Sequence, residues 1–231
     1  MKPKVRQITP LIYEFEWDSI VSDELLQYQL SFKIKIQEHF ISEIHELRLG
    51  YKTLSVVFRK AFESFILYEW LNSFIPDQTS NQLSEKIWVI PVCYSTETGR
   101  DLDTLARSKN LSQEKIIGLH SSPLYRLHFY GFLPGFMYLN GLSESLYTPR
   151  KSVPDRSVPR GSVAIGGSQT GVYPSSSPGG WHLIGQTPIS LFNPNQNHPV
   201  FASLGERIEF LPITNKEFDR LIRHPQMPAS K

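Results

Sequence analysis

Gly161-Ser162-Val163-Ala164-Ile165-Gly166-Gly167-Ser168-Gln169-Thr170-Gly171-Val172-Tyr173-Pro174 is the stretch on which the fold turns. Glycines at 166, 167 and 171 surround the polar group Ser168, Gln169 and Thr170. Two readings are open. In one, the stretch is a strand, a tight bend and a second strand, with glycine marking a bulge or corner. In the other, the glycines let the backbone approach a ligand and offer N–H groups as an anion-binding nest. Gln169 and Thr170 then supply neutral hydrogen-bonding groups.

Two stretches of similar style lie on either side. Gly131-Phe132-Leu133-Pro134-Gly135-Phe136-Met137-Tyr138-Leu139 places three aromatic residues around a Pro-Gly turn. They either close one end of a barrel or face a ligand. Ser177-Pro178-Gly179-Gly180-Trp181-His182-Leu183-Ile184-Gly185 sets a glycine pair beside Trp181 and His182. His182 is either a hydrogen-bonded structural residue or a proton-transfer group.

Between residues 131 and 194 lie ten of the chain's 14 glycines and eight of its 17 prolines, while residues 1–82 contain only Gly50. This change of texture predicts two domains, residues 1–82 and 83–231, joined near Asp77 to Glu85 through a polar stretch. The first reads as β-α-β-β-α. It has a strand over 11–17, a helix capped by Ser22 or Asp23 and running to about Phe40, strands over 44–49 and 53–59, and a helix over 62–74. Leu25, Leu26, Leu30, Ile34 and Tyr28 are the expected apolar positions of the first helix. The second domain opens with a strand over 86–94. Helices follow over 102–108, capped by Asp101, and over 113–120, capped by Ser112. A strand over 124–132 leads into short β-type runs at 162–165, 181–185, 189–192 and 208–211. The expected architecture is an α+β N-terminal domain and a mostly-β second domain, a β-barrel or a sandwich.

The composition is that of an ordinary globular protein, and the net charge of +2 gives no support for a nucleic-acid partner. No apolar run approaches the ~20 residues that span a bilayer. The lone Cys93 excludes an internal disulfide, and with the absence of a signal peptide it predicts a cytoplasmic protein. The seven histidines show no tight ligand spacing, so no metal site is expected. There is no Gly-x-x-x-x-Gly-Lys-[Ser/Thr] loop, no His-Glu-x-x-His and no Gly-x-Ser-x-Gly elbow. From Gly161 to Asn193 there is no charged residue, whereas Arg150, Lys151, Arg156 and Arg160 lie just before, against only Asp155. A neutral, glycine-lined hollow edged by guanidinium groups would receive a small carboxylate or phosphate. A buried barrel core edged by solvated charges fits the composition equally.

Several spaced motifs together resemble the KipI family, also described as allophanate hydrolase subunit 1 domains. They are Phe132-Leu133-Pro134-Gly135-Phe136 with Tyr138-Leu139, Thr148-Pro149-Arg150, Val158-Pro159-Arg160-Gly161, Gln169-Thr170-Gly171 with Tyr173-Pro174, and Ser177-Pro178-Gly179-Gly180-Trp181. Pro91-Val92-Cys93-Tyr94 and Leu119-His120-Ser121 extend the resemblance upstream. It implies a cyclophilin-like β-barrel C-terminal domain. It also implies one component of an ATP-dependent 5-oxoprolinase, inactive alone. The partners would be a homologous barrel protein of the allophanate hydrolase subunit 2 type and a LamB/YcsF-type protein. Inhibition of a sporulation-type histidine kinase and a carboxyltransferase-like role in a urea carboxylase-type system are the alternatives. On this reading His120, Arg160 and Gln169 are the expected catalytic residues, with ATP held together with the partners. Phe132, Pro134, Gly135, Phe136, Tyr138, Arg150, Gly166, Gly167, Thr170, Tyr173, Gly179, Gly180 and Trp181 are the expected substrate-binding set.

Overall fold

The computed structural model describes residues 1–75 and 82–231. The chain divides into two compact units, Met1–Leu83 and Ser84–Lys231. The join read from the sequence falls partly on residues 77–81, outside the described residues.

The first unit opens with two strands, β1 (Lys4–Thr9) and β2 (Ile12–Glu16), where the sequence reading expected one. Helix α1 (Asp23–His39), strands β3 (Ile44–Leu49) and β4 (Thr53–Phe58) and helix α2 (Ser64–Ser73) follow. The strands form an antiparallel sheet in the order β1-β2-β4-β3. β1 is almost wholly exposed, so it lacks the alternation that marks a half-buried strand. Ser22 caps α1 by accepting from the Leu25 amide. The buried residues of α1 are Leu25, Leu26, Gln29, Ser31, Phe32 and Ile36. Leu25 and Leu26 are buried as expected, whereas Ile34 is exposed and the polar Gln29 is buried in the stripe. Phe32 is the hub of the core, with ring centroids 5.0–5.3 Å from Phe15, Trp17, Trp70 and Phe74. Phe62 is not in α2: its amide donates to the Pro10 carbonyl, and its ring stacks on Phe58 at 4.0 Å.

The second unit is a mixed barrel. Its strands are β5 (Ile87–Cys93), β6 (Tyr125–Tyr130), β7 (Met137–Asn140), β8 (Asp155–Val158), β9 (Ser162–Gly166), β10 (Gln169–Val172), β11 (Ser177–Gly179), β12 (His182–Gln186), β13 (Arg207–Ile213) and β14 (Ala229–Ser230). Helices α3 (Leu102–Lys109), α4 (Gln113–Ser121) and α5 (Asn215–Leu221) accompany them. The order β12-β9-β10-β7-β6-β13-β5 closes into a ring of seven strands because β12 also pairs with β5, at Gln186 and Cys93. The pair β5–β13 is parallel. β8 and β11 form a separate two-stranded ribbon. The segment 189–192, expected as a strand, makes only one bridge, Phe192 to Val200. Pro188 and Pro194 bracket it and cannot donate to a ladder. Asp101 stands at the N-cap position of α3 but makes no capping bond with its side chain. Among the described residues, no helix is long and apolar enough to cross a membrane.

Inside the barrel a chain of hydrogen bonds runs through His120. Thr170 donates to the Ala164 carbonyl at 3.0 Å, so its oxygen accepts from His120 Nε2 at 2.8 Å. Nδ1 is then the acceptor for the Tyr94 hydroxyl at 2.8 Å. The imidazole also stacks on Phe210 at 4.8 Å. His120 is 0% exposed, and burial lowers its pKa from 6.5 to about 3. The native state therefore holds a neutral ring.

Between pH 6.5 and 3 the unfolded chain binds a proton that the native chain refuses. This contribution to stability is complete above pH 6.5 and is lost as the pH falls towards 3. We expect His120→Gln to lose a few kcal/mol at neutral pH. Its unfolding free energy, measured by urea denaturation, will fall less steeply with acid than that of the parent. Parallel profiles for the two proteins would show that His120 is not the buried base.

Candidate functional site

The strands β7, β9, β10 and β12 carry side chains on both faces. Val163, Ile165, Met137, Leu139, Val172 and Ile184 point into the barrel core. Ala164, Leu183, Phe136, Tyr173, Trp181 and Val158 form a second apolar cluster, with Tyr138 and Leu133 packed against it. Two glycines make this layer possible. A Cβ on Gly166 would collide with the Trp181 indole, and one on Gly171 would lie 3.0 Å from the Phe136 ring. The rings sit where strand side chains would otherwise stand. They meet edge to face: Phe136 lies 5.0 Å from Tyr173 and 5.5 Å from Trp181, and Tyr138 lies 5.7 Å from Trp181.

Above the layer is a hollow of about 330 Å³. Phe136, Tyr138, Tyr173 and Trp181 line it, with Gly179, Gly180 and Pro178 at one side and Phe132 at another. The remaining wall is the strap from Thr148 to Asp155, which contributes Arg150, Lys151 and Pro154. Reciprocal backbone bonds between Thr148 and Gly167, at 3.0 and 2.7 Å, fix one end of the strap. The Lys151 amide donates to the Gly180 carbonyl at 2.8 Å. His182 lies beside it with Nε2 2.9 Å from the Pro149 carbonyl, so that nitrogen carries the proton.

Phe132 has a left-handed backbone, φ 65°, and the residue is 60% exposed. A bulky residue in this region is strained by about 1–2 kcal/mol. The Pro134-Gly135 turn joins β6 to β7, and the Phe136 and Tyr138 rings that follow it belong to the second layer, not to an end plug.

The hollow carries one unopposed charge. The Arg150 guanidinium lies 5.4 Å from the Trp181 ring centre. Among the described residues no carboxylate is in ion-pair range of it. Lys151, by contrast, is paired with Asp101 and Asp155 at 2.7 Å each. Burial raises the Tyr138 hydroxyl and Arg150 opposes the rise. Burial pushes Tyr173 up to about 12, offset in part by a hydrogen bond with the Trp181 backbone. Both phenols are neutral donors at ordinary pH.

Of the residues singled out from the sequence, Phe132, Phe136, Tyr138, Arg150, Tyr173, Gly179, Gly180 and Trp181 meet at the hollow. The others do not line it. Pro134 is exposed in its turn, and Gly135 lies under Phe192. Gly166 is covered by Trp181, and Gly167 forms the β9–β10 hairpin turn with φ 67°. The nest reading of this loop gives way to the hairpin. Thr170 and His120 lie inside the barrel. Gln169 is 7% exposed, and its Nε2 has no partner among the described residues. The Arg160 side chain is exposed, and its carbonyl accepts from Gln186. Lys151, Pro154 and Pro178 were not in the expected binding set. Lys151 had one signal, its place in the run of edge charges. Asp101, 50 positions upstream of Lys151, had none. Among the described residues no group of three or more His, Cys, Asp or Glu side chains could hold a metal ion.

Comparison with known proteins gives concordant matches. A stretch of 137 residues is 45% identical to the B subunit of the 5-oxoprolinase of Bacillus subtilis (strain 168), covering 59% of this chain and 57% of that protein. Over 122 residues the identity to the B subunit of the Haemophilus influenzae 5-oxoprolinase is 49%, covering 53% of this chain and 57% of the relative. The matches thus span little more than half the length of these curated relatives. Among solved structures, the crystal structure of TTHA0988 superposes with a TM-score of 0.75 at 29% identity, over 92% of this chain and 40% of that one. Residues 3–202 match the carboxyltransferase domain, subdomain C and D, and the chain belongs to that family.

Proposed function

We propose that this chain is one component of an ATP-dependent 5-oxoprolinase, and that its aromatic hollow holds 5-oxo-L-proline. Support for the activity comes from the Bacillus subtilis and Haemophilus influenzae relatives, which are 5-oxoprolinase B subunits. The observation that supports the placement is the free guanidinium of Arg150 over an aromatic floor. The substrate is a small lactam ring with one carboxylate. Its methylene groups suit the faces of Phe136, Tyr138 and Trp181, and its carboxylate suits Arg150. The Tyr138 and Tyr173 hydroxyls, held neutral, are available to the lactam oxygen as hydrogen-bond donors.

The hollow does not suit a nucleoside triphosphate. Among the described residues it has one free cation, and no Gly-x-x-x-x-Gly-Lys-[Ser/Thr] loop stands beside it. ATP would activate an otherwise unreactive amide, and we assign its binding to the partner proteins. This chain's part is to hold and orient the ring. The Gln169 carboxamide, whose Nε2 has no partner among the described residues, and the exposed Arg160 remain candidates for contacts completed by a partner surface.

The test is reconstitution with the two expected partners, the homologous barrel protein and the LamB/YcsF-type protein. We expect 5-oxoproline-dependent phosphate release and glutamate formation from the mixture, and none from this chain alone. A mixture that assembles yet releases no phosphate in response to 5-oxoproline would sink the proposal. Within an active mixture, Arg150→Ala should raise KM for 5-oxoproline roughly tenfold or more, the loss of one charge-assisted hydrogen bond. Phe132→Gly separates binding from folding. It relieves the left-handed strain, so urea denaturation should show unchanged stability or a gain of up to about 1 kcal/mol, while KM rises. A clear loss of stability would make Phe132 a folding residue instead.

A further inference from the structure

We propose that Lys151 is a positioning residue, whose ammonium clamps the strap so that Arg150 stays on Trp181 as the hollow's free cation. The kinetic consequence rests on the reading of the hollow as the substrate site, but the positioning does not.

Lys151 Nζ lies 2.7 Å from Asp101 Oδ2 and 2.7 Å from Asp155 Oδ2. The Lys151 and Asp101 side chains are each only 18% exposed. Asp155 also pairs with Arg100 at 2.7 Å. Asp101 Oδ2 accepts from the Leu183 amide at 2.8 Å, which ties the clamp to strand β12 next to Trp181. Asp101 makes no side-chain cap for α3, although it stands at the capping position. Its carboxylate is committed across the fold to the strap.

The cluster contains two cations, Lys151 and Arg100, and two carboxylates, Asp101 and Asp155. It is therefore neutral as a whole. Burial alone would raise the Asp155 carboxyl, but Lys151 and Arg100 outweigh it and hold the group below the ordinary range. Arg150 is the adjacent residue and has no carboxylate partner among the described residues. Between the two clamped strap positions Val153 is 78% exposed, so packing does little to hold this bend. Removing the ammonium would leave two carboxylates against Arg100. On the proposal, Arg150, the adjacent strap residue, then leaves the Trp181 face to take its place.

The experiment uses the full chain and NMR. The Arg150 Nε–H resonance, identified by its loss in Arg150→Lys, should be displaced by the Trp181 ring current. In Lys151→Met it should move to the position of a solvated arginine, and in Lys151→Arg it should stay displaced. A resonance unmoved in Lys151→Met overturns the proposal. If Lys151→Met does not fold, Asp101→Asn is read the same way, because its amide oxygen can still accept from Leu183 while the ion pair is lost. In the reconstituted enzyme, Lys151→Met should raise KM for 5-oxoproline roughly tenfold with kcat kept. It should add nothing in an Arg150→Ala background. Additive losses would overturn the route through Arg150. A moved resonance with unchanged KM would uphold the positioning and defeat the placement of substrate in the hollow.

Discussion

Gly166 and Gly171 leave gaps on the outward face of two neighbouring barrel strands, and aromatic rings fill them. Most of the second unit follows from this exchange. A strand position normally spends its outward side chain on solvent or on a helix. Here the side chain is absent, and Trp181 and Phe136 reach in from other segments. Those segments are thereby fixed against the sheet, and the remaining polar turns are placed around the rings. The hollow is the space left between the ring edges and the strap. Its floor residues pack directly on barrel strands.

The inner face depends on a different device. His120, Tyr94 and Thr170 form a directed chain of hydrogen bonds that ends on the Ala164 carbonyl. Each donor has an acceptor, so a histidine can be buried in an otherwise apolar interior. Thr170 points inward while its strand neighbours Gln169 and Gly171 point outward. One short strand thus carries a core anchor and part of the outer floor. The expected catalytic trio is divided by this geometry: His120 faces the interior, Gln169 is buried on the outer face of β10, and Arg160 is at the surface.

How much was legible in the sequence varied with the type of signal. Capping signals were reliable where a hydroxyl preceded an amphipathic run: Ser112 caps as read, and of the two candidates Ser22 and Asp23 it is Ser22 that caps. Texture located the barrel and most of the hollow's lining, because glycine and aromatic residues gather where rings sit on backbone. β1 escaped notice because it is exposed almost throughout and shows no period of two. β10 is buried throughout, so the sequence left it as one of two open readings. Asp101 was misread because capping is a local inference, and its real partner is Lys151, across the barrel unit. A run of charges before a neutral segment was visible, but only the fold distinguishes the paired Lys151 from the unpaired Arg150 beside it.

That distinction gives the hollow its chemical character. On the proposed reading, two features of it serve binding rather than folding. The left-handed φ at Phe132 costs about 1–2 kcal/mol, and the residue remains mostly exposed. Arg150 is held near an aromatic face with no carboxylate in range among the described residues, although two carboxylates stand one residue away, occupied by Lys151. If stability alone governed this segment, a glycine would replace Phe132 and Arg150 would be free to pair. A strained apolar rim and a reserved cation are instead what a receptor for a small apolar anion requires. The neutral cluster beneath the strap supplies the reserve. By satisfying its own charges completely, it leaves Arg150 as the one strong electrostatic attraction the hollow presents to a ligand.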